Sequence, residues 1–309
     1  MKLLITYDGS DCAVAALSDL RYAGLPHACQ VVVLSVGDPA TRTAGAAASA
    51  GSQGQFVSQE YNWQALHDQA IVHAQIFVAQ GAALLKKQFP SWQIETQALM
   101  GSAQSIIVRK AVEWRPDLVV LGSHGRSGFH NVSLGSVSQH VANHTYCSVR
   151  IGRNRPRPAE RPLRILVGMD ESSDAAAALE SITARSWPAD TQLRVAGVID
   201  LRSPLLMPSR DAPSSSPSPA ILDALRESVS LTVQKGVAFL ARAGLRAEPQ
   251  VLAGSPGYEL VGEAERWDAD AIFVGARSIN AFERIFLGSV STAVVTRASC
   301  AVEVVRQPD

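Results

Sequence analysis

No apolar run in this 309-residue chain approaches the roughly 20 residues that a membrane-spanning helix requires. Its opening, Met1-Lys-Leu-Leu-Ile5, reads as the start of a strand and lacks the longer apolar region of a signal peptide. The expectation is a cytoplasmic protein that engages no membrane. Net charge is missing too: 28 basic residues offset 28 acidic ones, and the basic residues are scattered, which argues against a nucleic-acid-binding surface. Cysteine is scarce. The four present form no CxxC and no His/Cys cluster at zinc spacing, so the sequence specifies neither a disulfide framework nor a metal site. Gly-Lys-Ser/Thr, the phosphate-gripping end of a P-loop, occurs nowhere.

What is present is a glycine-rich stretch between two regular elements. Asp117-Leu-Val-Val-Leu121 has the length and branching of a strand buried on both faces. Gly122-Ser-His-Gly-Arg-Ser-Gly-Phe-His-Asn-Val-Ser-Leu-Gly-Ser136 follows, and Val137 and Val141 then fall on one helical stripe. Gly122, Gly125, Gly128 and Gly135 permit left-handed backbone angles and close approach of a ligand to the amides. Ser136 stands where a helix begins, its unpaired N–H groups and the positive dipole end directed outward, and anions bind readily at such a place.

The same pattern comes twice. Lys2 to Ser10 matches Arg164 to Ser172, Val31 to Asp38 matches Leu193 to Asp200, and Ala98 to Ser102 matches Val251 to Ser255. Gly101, Trp114, Gly122, Gly135 and Cys147 recur without a gap as Gly254, Trp267, Gly275, Gly288 and Cys300. Two copies of one fold follow. Within each, buried strands alternate with amphipathic helices, which predicts an α/β architecture: a doubly wound, parallel five-stranded sheet, Rossmann-like, with right-handed crossovers. Ligands bind such sheets beyond the carboxyl ends of the strands. Asp8, Val36, Gly101 and Gly122 are placed there by the order of elements. Arg153 to Pro162, rich in proline and arginine, reads as the linker, giving domains at 1–154 and 162–309. The copies differ most at 41–54, rich in Ala, Gly and Ser, and at 203–219, rich in Pro and Ser; both read as loops near the binding edge, either a lid or tolerated insertions.

Gly122, two residues, Gly125, nine residues, then Gly135-Ser136 is not a dinucleotide-binding GxGxxG. It resembles the nucleotide-binding signature of the universal stress protein family, and the resemblance extends over nearly the whole chain, twice, as in a tandem member with the adenine nucleotide alpha hydrolase-like fold. The resemblance implies that Asp8 contacts the nucleoside, that the backbone of Val36 meets the adenine, and that Gly122, Gly125, Gly135, Ser136 and Val137 wrap the phosphates of ATP, with Mg²⁺ reaching the phosphates through water. His124 and Arg126 lie inside that loop and either donate to phosphate or are solvated. Asp8 could instead cap the first helix or its loop, and Gly101 and Gly254 could be plain strand-to-helix turns. Cys147 and Cys300 read as small buried residues at the final strand, Trp114 and Trp267 as packing residues.

In the second copy Asp170, Val198, Gly254, Gly275, Gly288, Ser289 and Val290 keep the frame, but Ser278 replaces the middle glycine and Arg277 stands in the place of His124. A serine forced to positive φ costs on the order of 1 kcal/mol. The second site is accordingly expected to bind weakly, to take another anion or to be empty. No activated nucleophile, positioned base or metal-binding carboxylate cluster is legible beside the loop, and the Ser-Gly-Gly-x-Asp-Ser loop of related adenylating enzymes is absent. The leading expectation is an ATP-binding stress-response regulator with little turnover. The alternatives are a slow ATPase or nucleotidyl-transfer enzyme, and an interaction scaffold with vestigial sites. The final strands, Ser148 to Ile151 and Ala301 to Val305, suggest that the two copies pair as a pseudo-dimer within one chain, with a homodimer also open.

Overall fold

The computed structural model describes residues 1–38, 63–125, 134–155, 157–158, 160–203, 206, 219–276 and 287–307. Segment 41–54, most of 203–219, and Arg126, Gly128, Arg277 and Ser278 lie outside the described residues. The chain divides into two compact units, residues 1–21 with 26–154, and residues 22–25 with 155–309.

The first unit runs β1 (Lys2–Thr6), α1 (Asp11–Asp19), β2 (Gln30–Gly37), α2 (Trp63–Gln88), β3 (Gln93–Met100), α3 (Ala103–Trp114), β4 (Leu118–Gly122), α4 (Ser136–His144) and β5 (Ser148–Gly152). Its strands are all parallel in the order β3-β2-β1-β4-β5. The chain winds outward from β1 to β3, then returns to the other side of β1 with β4. The central strands carry the apolar load: Leu3, Leu4 and Ile5 of β1 and Leu118, Val119 and Val120 of β4 are wholly buried, as strands covered by helices on both faces must be. Leu3 pairs with Val31 on one side and Leu118 on the other, so these three runs stack in register.

The second unit repeats the plan with β6 (Arg164–Gly168), α5 (Ser173–Thr183), β7 (Gln192–Asp200), α6 (Pro219–Arg242), β8 (Ala247–Gly254), α7 (Pro256–Arg266), β9 (Ala271–Gly275), α8 (Ser289–Arg297) and β10 (Ala301–Val305). Its parallel order, β8-β7-β6-β9-β10, is that of the first unit. Ile165, Val167, Leu193, Val195 and Phe273 form its core with Leu179 and Ile182 of α5.

Charges buried in each unit find partners within it. Arg150 on β5, fully buried, makes a two-pronged contact with Asp19 at the end of α1, Nε to Oδ2 at 2.6 Å and Nη2 to Oδ1 at 3.1 Å. Glu303, at the matching place on β10, is also fully buried and accepts from Arg185 just beyond α5. The segment before β6 is tied down: Arg155 donates to the carbonyl of Ala269 at 2.9 Å, Arg161 to that of Asp268 at 2.8 Å, and Arg157 approaches Asp270 at 3.4 Å. Asp270 also accepts from the backbone N–H of Arg164 at 2.8 Å, so its carboxylate anchors both the arginines and the first residue of β6. The stretch read from composition as the linker is thus fastened to the entrance of β9.

The cysteines and tryptophans fall partly as expected. Cys300 is buried, but Cys147, just before β5, is only half-buried, a correction to the paired reading. Trp114 and Trp267 end their helices under cations: the Lys2 ammonium stands 5.6 Å from the first ring and the Arg194 guanidinium 4.3 Å from the second. Arg194 itself bridges Glu248 and Glu263; burial alone would lower its pKa, but the two carboxylates outweigh it and hold the guanidinium more firmly charged. None of the four cysteines forms a disulfide, and no cluster of three or more potential metal ligands occurs among the described residues. Among them, too, no helix is long and apolar enough to cross a membrane.

Candidate functional site

At the carboxyl edge of the first sheet, where strand order reverses between β1 and β4, opens a cleft of about 330 Å³. Asp8, Val36, Gly122, His124, Gly125, Gly135, Ser136 and Val137, each expected at the site from sequence, all line it. The apolar wall comes from Leu34, Ile107 and Leu134. The polar groups come from the exits of β1 and β4 and from the start of α4. One opening therefore offers a flat apolar slot and, beside it, a run of backbone amides at a helix N-terminus.

The glycines are required here for space, not for backbone angle, which corrects the sequence reading. Gly122, Gly125 and Gly135 do not adopt positive φ. A Cβ on Gly122, the last residue of β4, would lie 2.8 Å from the carbonyl of Cys12 and 2.9 Å from the amide of Ala13, inside the first turn of α1. On Gly135 it would stand 3.2 Å from the Ser123 carbonyl oxygen, and on Gly125 3.0 Å from Oδ2 of Asp8. Gly135, with φ −71° and ψ 150°, is the N-cap of α4, and its own N–H donates to Ser123 O at 2.8 Å, closing the loop's base. No side chain caps α4, so the amides of its first turn face the cleft with the positive end of the dipole behind them. Because Gly125 needs no positive φ, the strain argument made for serine at the corresponding position 278 loses its basis; that residue lies outside the described ones.

Asp8 turns out to do two jobs with its two oxygens. Oδ1 accepts from the N–H of Ser10 at 3.0 Å and shapes the turn, and Ser10, not Asp8, caps α1 through the amide of Ala13 at 3.2 Å. Oδ2 is the oxygen beside Gly125. Tyr7, beside it, has its phenol pKa raised by burial and secondarily by the Asp8 charge, so it stays neutral. Val36 is the next-to-last residue of β2, not the residue after it. β1 pairs with β2 as far as Leu34, which accepts from Tyr7 N at 2.9 Å, and then turns away. Residues two apart on a strand point their backbone groups to the same side, so the N–H and C=O of Val36 face the gap that β1 has left.

Ser123 has a partner that linear reading did not find. Its Oγ lies 3.2 Å from Nδ1 of His124 and donates to Sγ of Cys12 at 3.5 Å. Nε2 of His124 is buried and has no hydrogen-bond partner among the described residues. Ser138 was also passed over as a structural group. Buried in the first turn of α4, it donates to the carbonyl of Gly122 at 2.7 Å and locks β4 to α4; Ser291 makes the same bond to Gly275. The recurrence of Gly-Ser-Val-Ser at 135–138 and 288–291 was the signal for it.

Gly101 does not line the cleft. Its φ of +134° and its N–H bond to Gly37 O at 3.0 Å make it the turn between β3 and α3, the plainer of its two readings; Gly254, at +147°, is its counterpart. Gly101→Ala is therefore expected to cost about 1–3 kcal/mol of stability while leaving ligand affinity within about twofold. Thermal melting with a binding isotherm checks both halves, and a large loss of affinity in a stable variant would restore the ligand reading.

The second copy keeps the scaffold and changes the charge. Gly275 packs against the start of α5, where its Cβ would lie 2.5 Å from the Asp174 carbonyl carbon, and Gly288 caps α8 with Ser289 and Val290 following. Asp170 accepts from the N–H of Ser172 at 2.9 Å as Asp8 does from Ser10, and Val198 lies within β7, half-buried. Yet Glu171 stands where the first copy has Gly9, Asp174 where it has Cys12, and Glu259 where it has Ile106. The Glu259 carboxylate folds over the Gly254 turn, its Oε1 2.5 Å from where a Cβ would be. Asp11 is in turn replaced by Ser173, so these positions gain two acids net, and a carboxylate such as that of Glu259 at this edge opposes a polyphosphate.

Both copies match the model of the universal stress protein family, over residues 1–152 and 163–306. The chain belongs to that family. A universal stress protein of Methanocaldococcus jannaschii is 34% identical over 88 residues, covering 28% of this chain and 52% of that protein. One from Synechocystis is 36% identical over 80 residues, 24% of this chain and 74% of the relative. The aligned part thus spans about half the length of the first of these relatives. Among solved structures, a universal stress protein from Archaeoglobus fulgidus superposes with a TM-score of 0.66 at 18% identity, covering 99% of this chain and 98% of that one; likeness at this identity concerns the fold. A putative universal stress protein from Pseudomonas aeruginosa gives 0.59 at 13%, covering 99% and 92%. The family's tandem arrangement in this chain accounts for the repeat, and the cleft of its first universal stress protein domain holds the complete glycine signature.

Proposed function

We propose that the first copy binds ATP and that occupancy, with little turnover, regulates a stress response through the chain's contacts with other molecules. The observation carrying this reading is the convergence in one cleft of Asp8, the free backbone edge of Val36 and the uncapped N-terminus of α4. An adenine matches the apolar slot with a backbone donor and acceptor at its edge, a ribose hydroxyl matches the second oxygen of Asp8, and phosphates match the α4 amides. Magnesium would be held by the phosphates and water. Two of the nearby hydroxyls are committed, Ser138 to the Gly122 carbonyl and Ser10 to the α1 cap, which supports binding over catalysis.

Calorimetric titration of the whole chain with MgATP is expected to give close to one nucleotide per chain, held by the first copy, because the second copy's acids oppose phosphate. Mass spectrometry of small molecules released from the purified protein, and a phosphate-release assay, complete the test. Two equal sites, or none, would contradict it.

A further inference from the structure

We propose that the outer face of α2 is a docking surface for a second molecule of this whole chain, the two α2 helices lying antiparallel about a twofold axis. Nothing in this contact depends on the nucleotide reading of the cleft.

The 26 residues of α2 span about 39 Å. Ala70, Ala74, Val78 and Leu85 bury its inner face, and a Cβ on Gly81 would stand 3.2 Å from Val33 of β2. A helix with one face so buried is ordinarily polar on the other. Here the outer face is apolar as well: Val72 is 49% exposed, Ile76 46% and Leu84 43%. With 3.6 residues per turn, these three and Ala79, Gln80 and Ala83 fall within a sector of about 140°. No Asp, Glu, Lys or Arg occurs from residue 69 to residue 85, so the stripe carries no charge. The charges are gathered at its ends. Asp68, its side chain 64% exposed, precedes the neutral run, and Lys86 and Lys87, both exposed, follow it.

A twofold contact brings the same patch of each chain together, so a stripe charged along its length would meet its own charge. A neutral stripe with opposite charges at its two ends is complementary to itself, and only when antiparallel. Setting Asp68 against Lys87 of the partner subunit fixes the register. Val72 then stands opposite Ala83 of the partner subunit and Ile76 opposite Ala79 of the partner subunit, so large side chains meet alanines and the helix axes can approach to about 8 Å. The counterpart helix α6, aligned by Gly236 against Val195 as Gly81 is against Val33, exposes Leu231 and Phe239 at the places of Ile76 and Leu84. Arg226, Glu227 and Lys235 interrupt its corresponding stretch, so of the two only α2 has the neutral run. A strip of that length and about 10 Å wide buries roughly 400 Å² per chain, against about 800 Å² in a standard interface. α1 extends it: Gln88 Nε2 donates to Leu17 O at 3.2 Å, and because both helices return from parallel strands, one turn back on each sets exposed Val14 level with Leu84. The dimer is accordingly weak and concentration-dependent.

The dissociation constant is expected on the order of 10–100 µM, as for a small interface. The test is sedimentation equilibrium of the full chain at low salt, with concentrations bracketing that value. The parent is expected to pass from one chain mass to two as concentration rises. Ile76→Glu should weaken association by at least about tenfold, since the twofold axis puts two new carboxylates into the apolar contact. Lys87→Glu should weaken it by about threefold or more, two like-charge pairs replacing two opposite ones. Asp68→Lys together with Lys87→Glu should restore the parent's association, because opposite charges meet again with their places exchanged. All three positions are exposed, so each variant is expected to melt close to the parent, and the charge exchange decides the case should Ile76→Glu melt early. A parent that keeps one chain mass throughout overturns the proposal, as does a dimer that folded Ile76→Glu leaves intact. A dimer indifferent to Lys87→Glu, or one that the double exchange fails to restore, overturns the antiparallel pairing and with it the second chain as occupant.

Discussion

Gly135→Val is expected to weaken ATP binding on the order of 100-fold, about 2.7 kcal/mol, while the protein melts within a few degrees of the parent. Position 135 has φ −71° and ψ 150°, an extended conformation that valine favours, so the substitution carries no backbone penalty. Its N–H bond to Ser123 O survives, since only the side chain changes. What changes is the cleft. The new Cβ would lie 3.2 Å from Ser123 O and 3.3 Å from His124 Cα, so the loop backbone must give by a few tenths of an ångström, and the methyls beyond it crowd the cleft that Gly135 lines. Calorimetry and a melting curve on the same preparation decide the matter: unaltered affinity would show that the phosphates lie elsewhere, and a collapsed melting temperature would show that the glycine serves the fold.

Asp19→Ala should destabilise the first copy by on the order of 3 kcal/mol, because it strips the two-pronged partner from a wholly buried guanidinium. For a domain of about 150 residues that is a fall of roughly 6–12 °C in the transition. Part of the loss reflects a carboxylate stripped from a buried guanidinium, so Asp19→Leu combined with Arg150→Met should recover part of it. Scanning calorimetry of the single and double variants is the measurement. A single variant that melts like the parent would mean that water or another group takes over from Asp19.

The architecture was readable because it rests on patterning local in sequence and repeated. The apolar runs at Leu3–Ile5 and Leu118–Leu121 are strands, and the matched spacing from Gly101 to Cys147 and Gly254 to Cys300 required two copies of one unit. Positions at the cleft were also readable, since each stands at or near the end of a strand or at the start of the helix after the glycine loop. The reasons for the residues were not. Glycine at 122 was attributed to backbone freedom, whereas it is needed because α1 crosses at 2.8 Å, a contact between segments more than a hundred positions apart. Gly101, for which two roles were open, does need its unusual φ, because β3 must turn sharply into α3. Nothing in linear order brings Cys12 to Ser123, so the hydrogen-bond chain that orients His124 was invisible until the strands were placed side by side. The acids of the second copy were present in the alignment of the repeats, but their bearing on phosphate appears only once Glu259 is seen lying over Gly254.

The buried pairs at β5 and β10 bear on how a duplicated chain keeps its halves distinct. Arg150 and Glu303 occupy the same place in their copies with opposite charge, and each has its counterion on its own side: Asp19 in one, Arg185 in the other. A recombination event that exchanged the final strands would bring Glu303 to Asp19 and Arg150 to Arg185, two like charges at each buried position. Such hybrids would lose both of these buried pairs, so each final strand is matched in charge to the first helical layer of its own copy.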